Sequence, residues 1–83
     1  MLEALPVLAA EVIGKNSIEL SWNSVFSATS YNIYQGSSQI ATNITETTFT
    51  VEGLETGTEY CFQVSAVNEL GESEKSNEAC ETP

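Results

Sequence analysis

Cys61 and Cys80 are the only two cysteines in an 83-residue chain that has no histidine, and they bracket the stretch YCFQVSAVNELGESEKSNEAC. Three kinds of chemistry could use such a pair. A redox or nucleophilic pair is usually closer in sequence, as in C-x-x-C, and needs a neighbouring cation or a helix N-terminus to lower a thiol pKa. A zinc site needs four ligands, and two thiolates without an imidazole supply half of one. A structural disulfide needs only two segments that bring the Cα atoms close together. Two free thiols are the remaining possibility.

Other reactive constellations lack material. Without histidine there is no Ser-His-Asp or Cys-His arrangement, and the chain has no arginine and no aspartate. The glutamates of GESEKSNEACE fall in an expected exposed hairpin, with no cleft to raise one carboxyl pKa as a glycosidase requires. The chain is therefore not expected to be an enzyme, and no catalytic, cofactor-binding or metal-binding residue is assigned. Glu69, Glu72 and Glu74 could offer oxygens to calcium, but the D-x-D loop pattern is absent. Asn43-Ile44-Thr45 satisfies the glycosylation sequon and is read as a polar turn ahead of a strand. An Arg-Gly-Asp adhesion loop is impossible in this composition.

Twelve glutamates against Lys15 and Lys75 give a net charge of −10. Nucleic acid and anionic lipid both need clustered Lys or Arg to displace counterions, so neither is expected as a partner. The glutamates read as a solvated surface that keeps a monomer soluble. No apolar run approaches the ~20 residues that span a bilayer, so no membrane insertion is expected. The N-terminal MLEALPVLAAEVI lacks the basic n-region of a signal peptide. With Pro6 near one end and CETP at the other, residues 1–83 are expected to be a single module, its core about 6–82, taken from a longer polypeptide.

The elements that must position these residues follow from period-two alternation of apolar and polar side chains, which argues for half-buried antiparallel strands. PVLAAEVI, SIELSW, SYNIYQ, SQIAT, TTFTV, TEYCFQVSAV and SNEACE make seven. Between them lie the breakers IGKNS, SVFSATS, QGSS, NITET, EGLETGT and NELGES, rich in Gly, Asn, Ser and Thr. Seven short strands at roughly ten-residue spacing predict an all-β, seven-stranded antiparallel two-sheet sandwich.

Trp22 in the second strand, SYNIY in the third and the run L-x-x-G-T-x-Y-x-F-x-V-x-A-x-N-x-x-G from Leu54 to Gly71 resemble a fibronectin type III domain, an immunoglobulin-like sandwich. Leu54, Gly57, Tyr60, Phe62, Val64, Ala66, Asn68 and Gly71 occupy the matching positions. The resemblance implies that Tyr60 holds a tyrosine corner, its hydroxyl bonding a backbone carbonyl between Leu54 and Gly57. It places Trp22, Tyr31, Ile33, Leu54, Tyr60, Phe62 and Val64 in the core, with Ile18, Leu20, Phe49 and Val51 around them. Many relatives have Pro where this chain has Thr56, a departure expected to loosen the turn.

In such a fold the sixth and seventh strands are antiparallel neighbours, which implies a Cys61–Cys80 disulfide across them on the outer face, stabilising by about 3 kcal/mol. A disulfide in turn implies an oxidising, extracellular setting. Asn32 and Tyr34, with Gln63 and Ser65, are expected on the same outer face as a possible binding surface. Tyr34 there and Phe26 in a loop are the aromatics left over for a sugar. The composition and the cysteine pattern resemble modules of secreted, clostridial-type glycoside hydrolases. That implies a non-catalytic accessory module in polysaccharide degradation, partnered by neighbouring domains of the same polypeptide, and otherwise by polysaccharide or protein.

Overall fold

A computed structural model describes residues 6–26 and 28–83. Eight β segments build it: β1 (Leu8–Gly14), β2 (Ser17–Trp22), β3 (Ser30–Gln35), β4 (Ser38–Ile44), β5 (Thr48–Val51), β6 (Tyr60–Asn68), β7 (Gly71–Glu72) and β8 (Ala79–Glu81). One sheet has the order β1-β2-β5; the other has β4-β3-β6-β7, with β8 also paired to β6. All pairings are antiparallel.

Alternation explains which side chains meet between the sheets. Ile18 and Leu20 from β2, Ile33 from β3 and Phe62, Val64 and Ala66 from β6 are fully buried. Trp22 packs edge-on against Tyr31 with ring centroids 5.5 Å apart. Leu54 and Val51 complete the expected core, together with Leu8 and Val25, while Tyr60 and Phe49 are only half-buried. Trp22 Nε1 is a buried donor with no partner among the described residues. Its ring is kept by the bulk it contributes, at the cost of a desolvated N–H.

The seventh strand is not continuous, which is why eight segments stand where seven were expected. The β6–β7 turn takes only Glu69 and Leu70, with Asn68 opposite Gly71. Beyond Glu72 the chain keeps running beside β6, so NELGESEKS is a tight turn followed by an extended edge segment rather than one hairpin loop, while Glu69, Glu72 and Glu74 in it are exposed as expected. Ser73 and Ser76 are buried there and substitute for the missing ladder. The Ser73 amide donates to Ala66 O at 2.7 Å while its hydroxyl accepts the Ala66 amide at 2.9 Å. Ser76 repeats the arrangement on Val64, at 2.7 and 3.0 Å. The register then resumes in β8, which places Cys80 opposite Cys61.

Three further expectations are corrected. Asn43 lies within β4 rather than in a turn; β4 carries extra residues relative to β3, and Asn43 takes up one bulge with φ 58°. Asn tolerates that left-handed region better than most residues. Thr56 does not loosen its turn: its hydroxyl donates to Lys15 O at 2.6 Å, and Leu54 and Asn16 exchange two further bonds, at 2.9 and 2.6 Å. The β1–β2 and β5–β6 turns are thereby tied together. Tyr60 does close the expected corner, but its hydroxyl accepts the Glu55 amide, at 2.8 Å, instead of donating to a carbonyl.

Candidate functional site

Asn32 and Tyr34 on β3 stand directly opposite Ser65 and Gln63 on β6, so the four make one patch on the outer face of the larger sheet. The patch is covered. Tyr34 is 8% exposed and Ser65 not at all, which corrects the expectation that both look out into solvent. Period two puts a side chain on a face, but the side chains of Glu72 and Lys75, from the segment that runs beside β6, reach over that face.

The cover is a polar cluster centred on Glu72. Its Oε2 accepts from the Tyr34 hydroxyl, the Ser65 hydroxyl and, at 3.1 Å, Asn32 Nδ2. Thr42 on β4 extends the chain by donating to Asn32 Oδ1 at 2.7 Å. Lys75 Nζ lies 4.3 Å from the centroid of the Tyr34 ring. Gln63 Nε2 donates to Ser76 O at 2.9 Å, so all four patch residues are engaged by residues 72–76. The Ser65 hydroxyl, then the Tyr34 hydroxyl, the Asn32 amide and the Lys75 charge, hold the Glu72 carboxyl below its usual range, against an opposing effect of burial. The Glu72 carboxylate raises the Tyr34 phenol, with burial adding to it. Chemically the cluster is a latch between strands.

The calcium reading loses Glu72 to this cluster, and Glu69, Glu72 and Glu74 do not converge among the described residues. Cys61 and Cys80 are joined by a disulfide, with Cα atoms 4.0 Å apart, both half-buried. Adjacent to them lies Glu78, exposed.

Neither aromatic left over for sugar contact makes a platform. Phe26 is 94% exposed on the β2–β3 loop, while Tyr34 lies beneath Lys75. A different concavity, an open groove of about 460 Å³, runs where the edges of β4 and β5 part. Ile40, Phe49 and Tyr60 supply its apolar wall and Gln35, Thr50 and Glu52 its polar one. Sequence reasoning missed it because Phe49 and Tyr60 have core parity; Phe49 on an edge strand and Tyr60 at the first position of β6, beyond its pairing with β3, are left half-covered. The signal available was the shortness of the run TTFTV, which forms a strand only over Thr48–Val51.

Residues 6–81 match the fibronectin type III domain. An amylopullulanase of Thermoanaerobacterium thermosulfurigenes is 42% identical over 77 residues, covering 84% of this chain and 4% of that protein. Chitinase A1 of Niallia circulans is 41% identical over 59 residues, covering 68% of this chain and 8% of its own length. Among solved structures, a Fn3-like protein from Clostridium thermocellum superposes with a TM-score of 0.88 at 38% identity, covering 96% of this chain and 93% of that one. The chain thus spans only a small fraction of these curated relatives.

Proposed function

The chain belongs to the fibronectin type III family, and from that premise we propose that it is a non-catalytic spacer and interaction module of a secreted, multimodular polysaccharide-degrading enzyme. The observation that carries this reading is the match at 42% identity to a segment amounting to 4% of an amylopullulanase, a relative in which such a domain stands among much else. The geometry supports it. Val7 donates to Asn23 beyond the end of β2, whereas Gly57 donates to Pro83 by the turn tied to the start of β2. The two ends of the domain therefore leave opposite poles of a body 39 Å long, which sets separation and orientation between neighbours. The glutamate-rich surface opposes self-association, consistent with a monomer.

A second reading, carbohydrate binding, is favoured by one feature, the groove walled by Ile40, Phe49 and Tyr60. Affinity electrophoresis through gels containing starch, pullulan or soluble chitin derivatives separates the two. The spacer reading expects unretarded migration and no release of reducing sugar. Retardation lost in Phe49→Ala would replace it with the binding reading, and sugar release by the purified chain would overturn both.

A further inference from the structure

We propose that, when the Cys61–Cys80 bond is reduced, the two thiolates and Glu78 form a binding site for a thiophilic divalent cation of the zinc class. In the disulfide-bonded chain both Sγ atoms and a Glu78 carboxylate oxygen lie within 4.8 Å of one another, the only such trio of His, Cys, Asp or Glu ligand atoms among the described residues. A tetrahedral zinc dithiolate has Zn–S bonds of about 2.3 Å and hence sulfurs about 3.8 Å apart. Cysteines directly opposite on paired strands, with Cα atoms 4.0 Å apart, reach that separation by rotation about χ1.

The strands that hold the sulfurs do not rely on the disulfide alone. Tyr60 pairs with Glu81 and Phe62 with Ala79 on either side of the cysteines. Farther out, Gly57 donates to Pro83 O at 3.0 Å and Gln63 to Ser76 O at 2.9 Å. Reduction therefore leaves two thiols side by side instead of releasing a tail. Half-buried sulfurs beside an exposed carboxylate admit a cation and leave its fourth position to water.

The chemistry balances with a low-molecular-weight dithiol as reductant. Thiol–disulfide exchange transfers two electrons to the protein sulfurs, which take up two protons, while the dithiol becomes a disulfide. Metal binding expels both protons as the thiolates coordinate. Disulfide and metal are thus alternative fastenings of β8 to β6: exchange with a low-molecular-weight disulfide, which takes up the two electrons and leaves as thiols, re-forms the bond and releases the cation.

The test is a Co²⁺ titration of the whole chain after phosphine reduction and anaerobic desalting, followed by absorbance, with circular dichroism reporting the fold. The expected result is a near-ultraviolet thiolate-to-cobalt charge-transfer band saturating at about one equivalent. The band is absent from the oxidised chain and from Cys61→Ser, and zinc removes it. Glu78→Gln should weaken cobalt binding about tenfold or more, with the melting temperature of the oxidised chain unmoved. A folded reduced chain without the band overturns the proposal. So does unchanged affinity in Glu78→Gln, and so does a band from a chain that stays unfolded, because the strands would then not be building the site.

Discussion

The Ser76 hydroxyl accepts the amide proton of Val64 at 3.0 Å while the Ser76 amide donates to the Val64 carbonyl at 2.7 Å, so a side-chain oxygen stands where a strand would place a carbonyl. The hydroxyl proton passes on to Asn77 O at 2.9 Å, leaving the serine oxygen free to accept. Ser73 does the same for Ala66 and passes its proton to Glu74 O at 2.8 Å. Two serines three residues apart thereby carry the edge of β6 across the gap between β7 and β8 without an ordinary ladder.

Ser76→Ala keeps the backbone half of this exchange but strands the Val64 amide in the interior. We expect a loss of about 1 to 3 kcal/mol, the cost of a buried donor left without a partner. Urea unfolding measures it, and faster hydrogen exchange at Val64 than at Ala66 locates it. Ser73→Ala should reverse that order. An unfolding midpoint equal to that of the parent chain would mean that the hydroxyls merely fill space.

Much of the sandwich was legible because β2, β3 and β6 each bury one face, and Ile18, Leu20, Ile33, Phe62 and Val64 declare that face at period two. The SEKS segment was not legible, since a serine whose hydroxyl imitates a backbone carbonyl has the same letter as one in a solvated loop. Val25 was missed for a related reason. It sits in SVFSATS, among breaker residues, yet Tyr31 reaches over and accepts its amide at 2.9 Å. At the candidate site, parity placed Asn32, Tyr34, Gln63 and Ser65 together correctly, but no local rule foretold Glu72 and Lys75 closing over them. Such coverage depends on the path of a later segment, which is tertiary information.

Two tyrosines accept backbone amides, and the difference in their surroundings sets a contrast between two single-atom deletions. The Tyr31 acceptor serves a buried amide, that of Val25; the Tyr60 acceptor serves an exposed one, that of Glu55. Tyr31→Phe should cost about 1 to 3 kcal/mol because water cannot replace the lost oxygen, and Tyr60→Phe about 0.5 to 1 kcal/mol because it can. Equal losses in paired denaturant titrations would show that both loops are equally open to solvent.

Reducing the Cys61–Cys80 bond restores freedom to a loop closed across a sequence separation of 19. The chain-entropy account gives a loss of about 3 kcal/mol, a large share of the stability of a domain this small. Calorimetry with and without reductant in metal-free buffer checks it, and β8 amides should exchange first. A midpoint unmoved by reduction would assign the hold on β8 to its backbone pairing alone.

The Glu72 cluster makes stability depend on pH at both extremes, with a sign that follows from its two shifted groups. The Glu72 carboxyl lies below its ordinary range, so its contribution is complete above the value of a free glutamate, about 4.3, and is lost as pH falls through the depressed folded value. The Tyr34 phenol is raised, so its contribution is complete below the free-tyrosine value, about 10, and is lost as pH rises through the elevated folded value. Glu72→Gln removes the charge on which both depend: Ser65, Asn32 and Tyr34 exchange an anionic acceptor for a weaker neutral amide oxygen, and Lys75 loses its nearby counter-charge. The expected outcome is lower stability at neutral pH, with shallower declines below about pH 4 and above about pH 10 than in the parent chain. Unfolding midpoints measured across that range decide the point. Parallel profiles for the two chains would mean that the carboxylate gains nothing from the hydroxyls around it, and residues 72–76 would then be held beside β6 by the Val67–Glu72 pairing, the Gln63 amide and the Ser73 and Ser76 bonds.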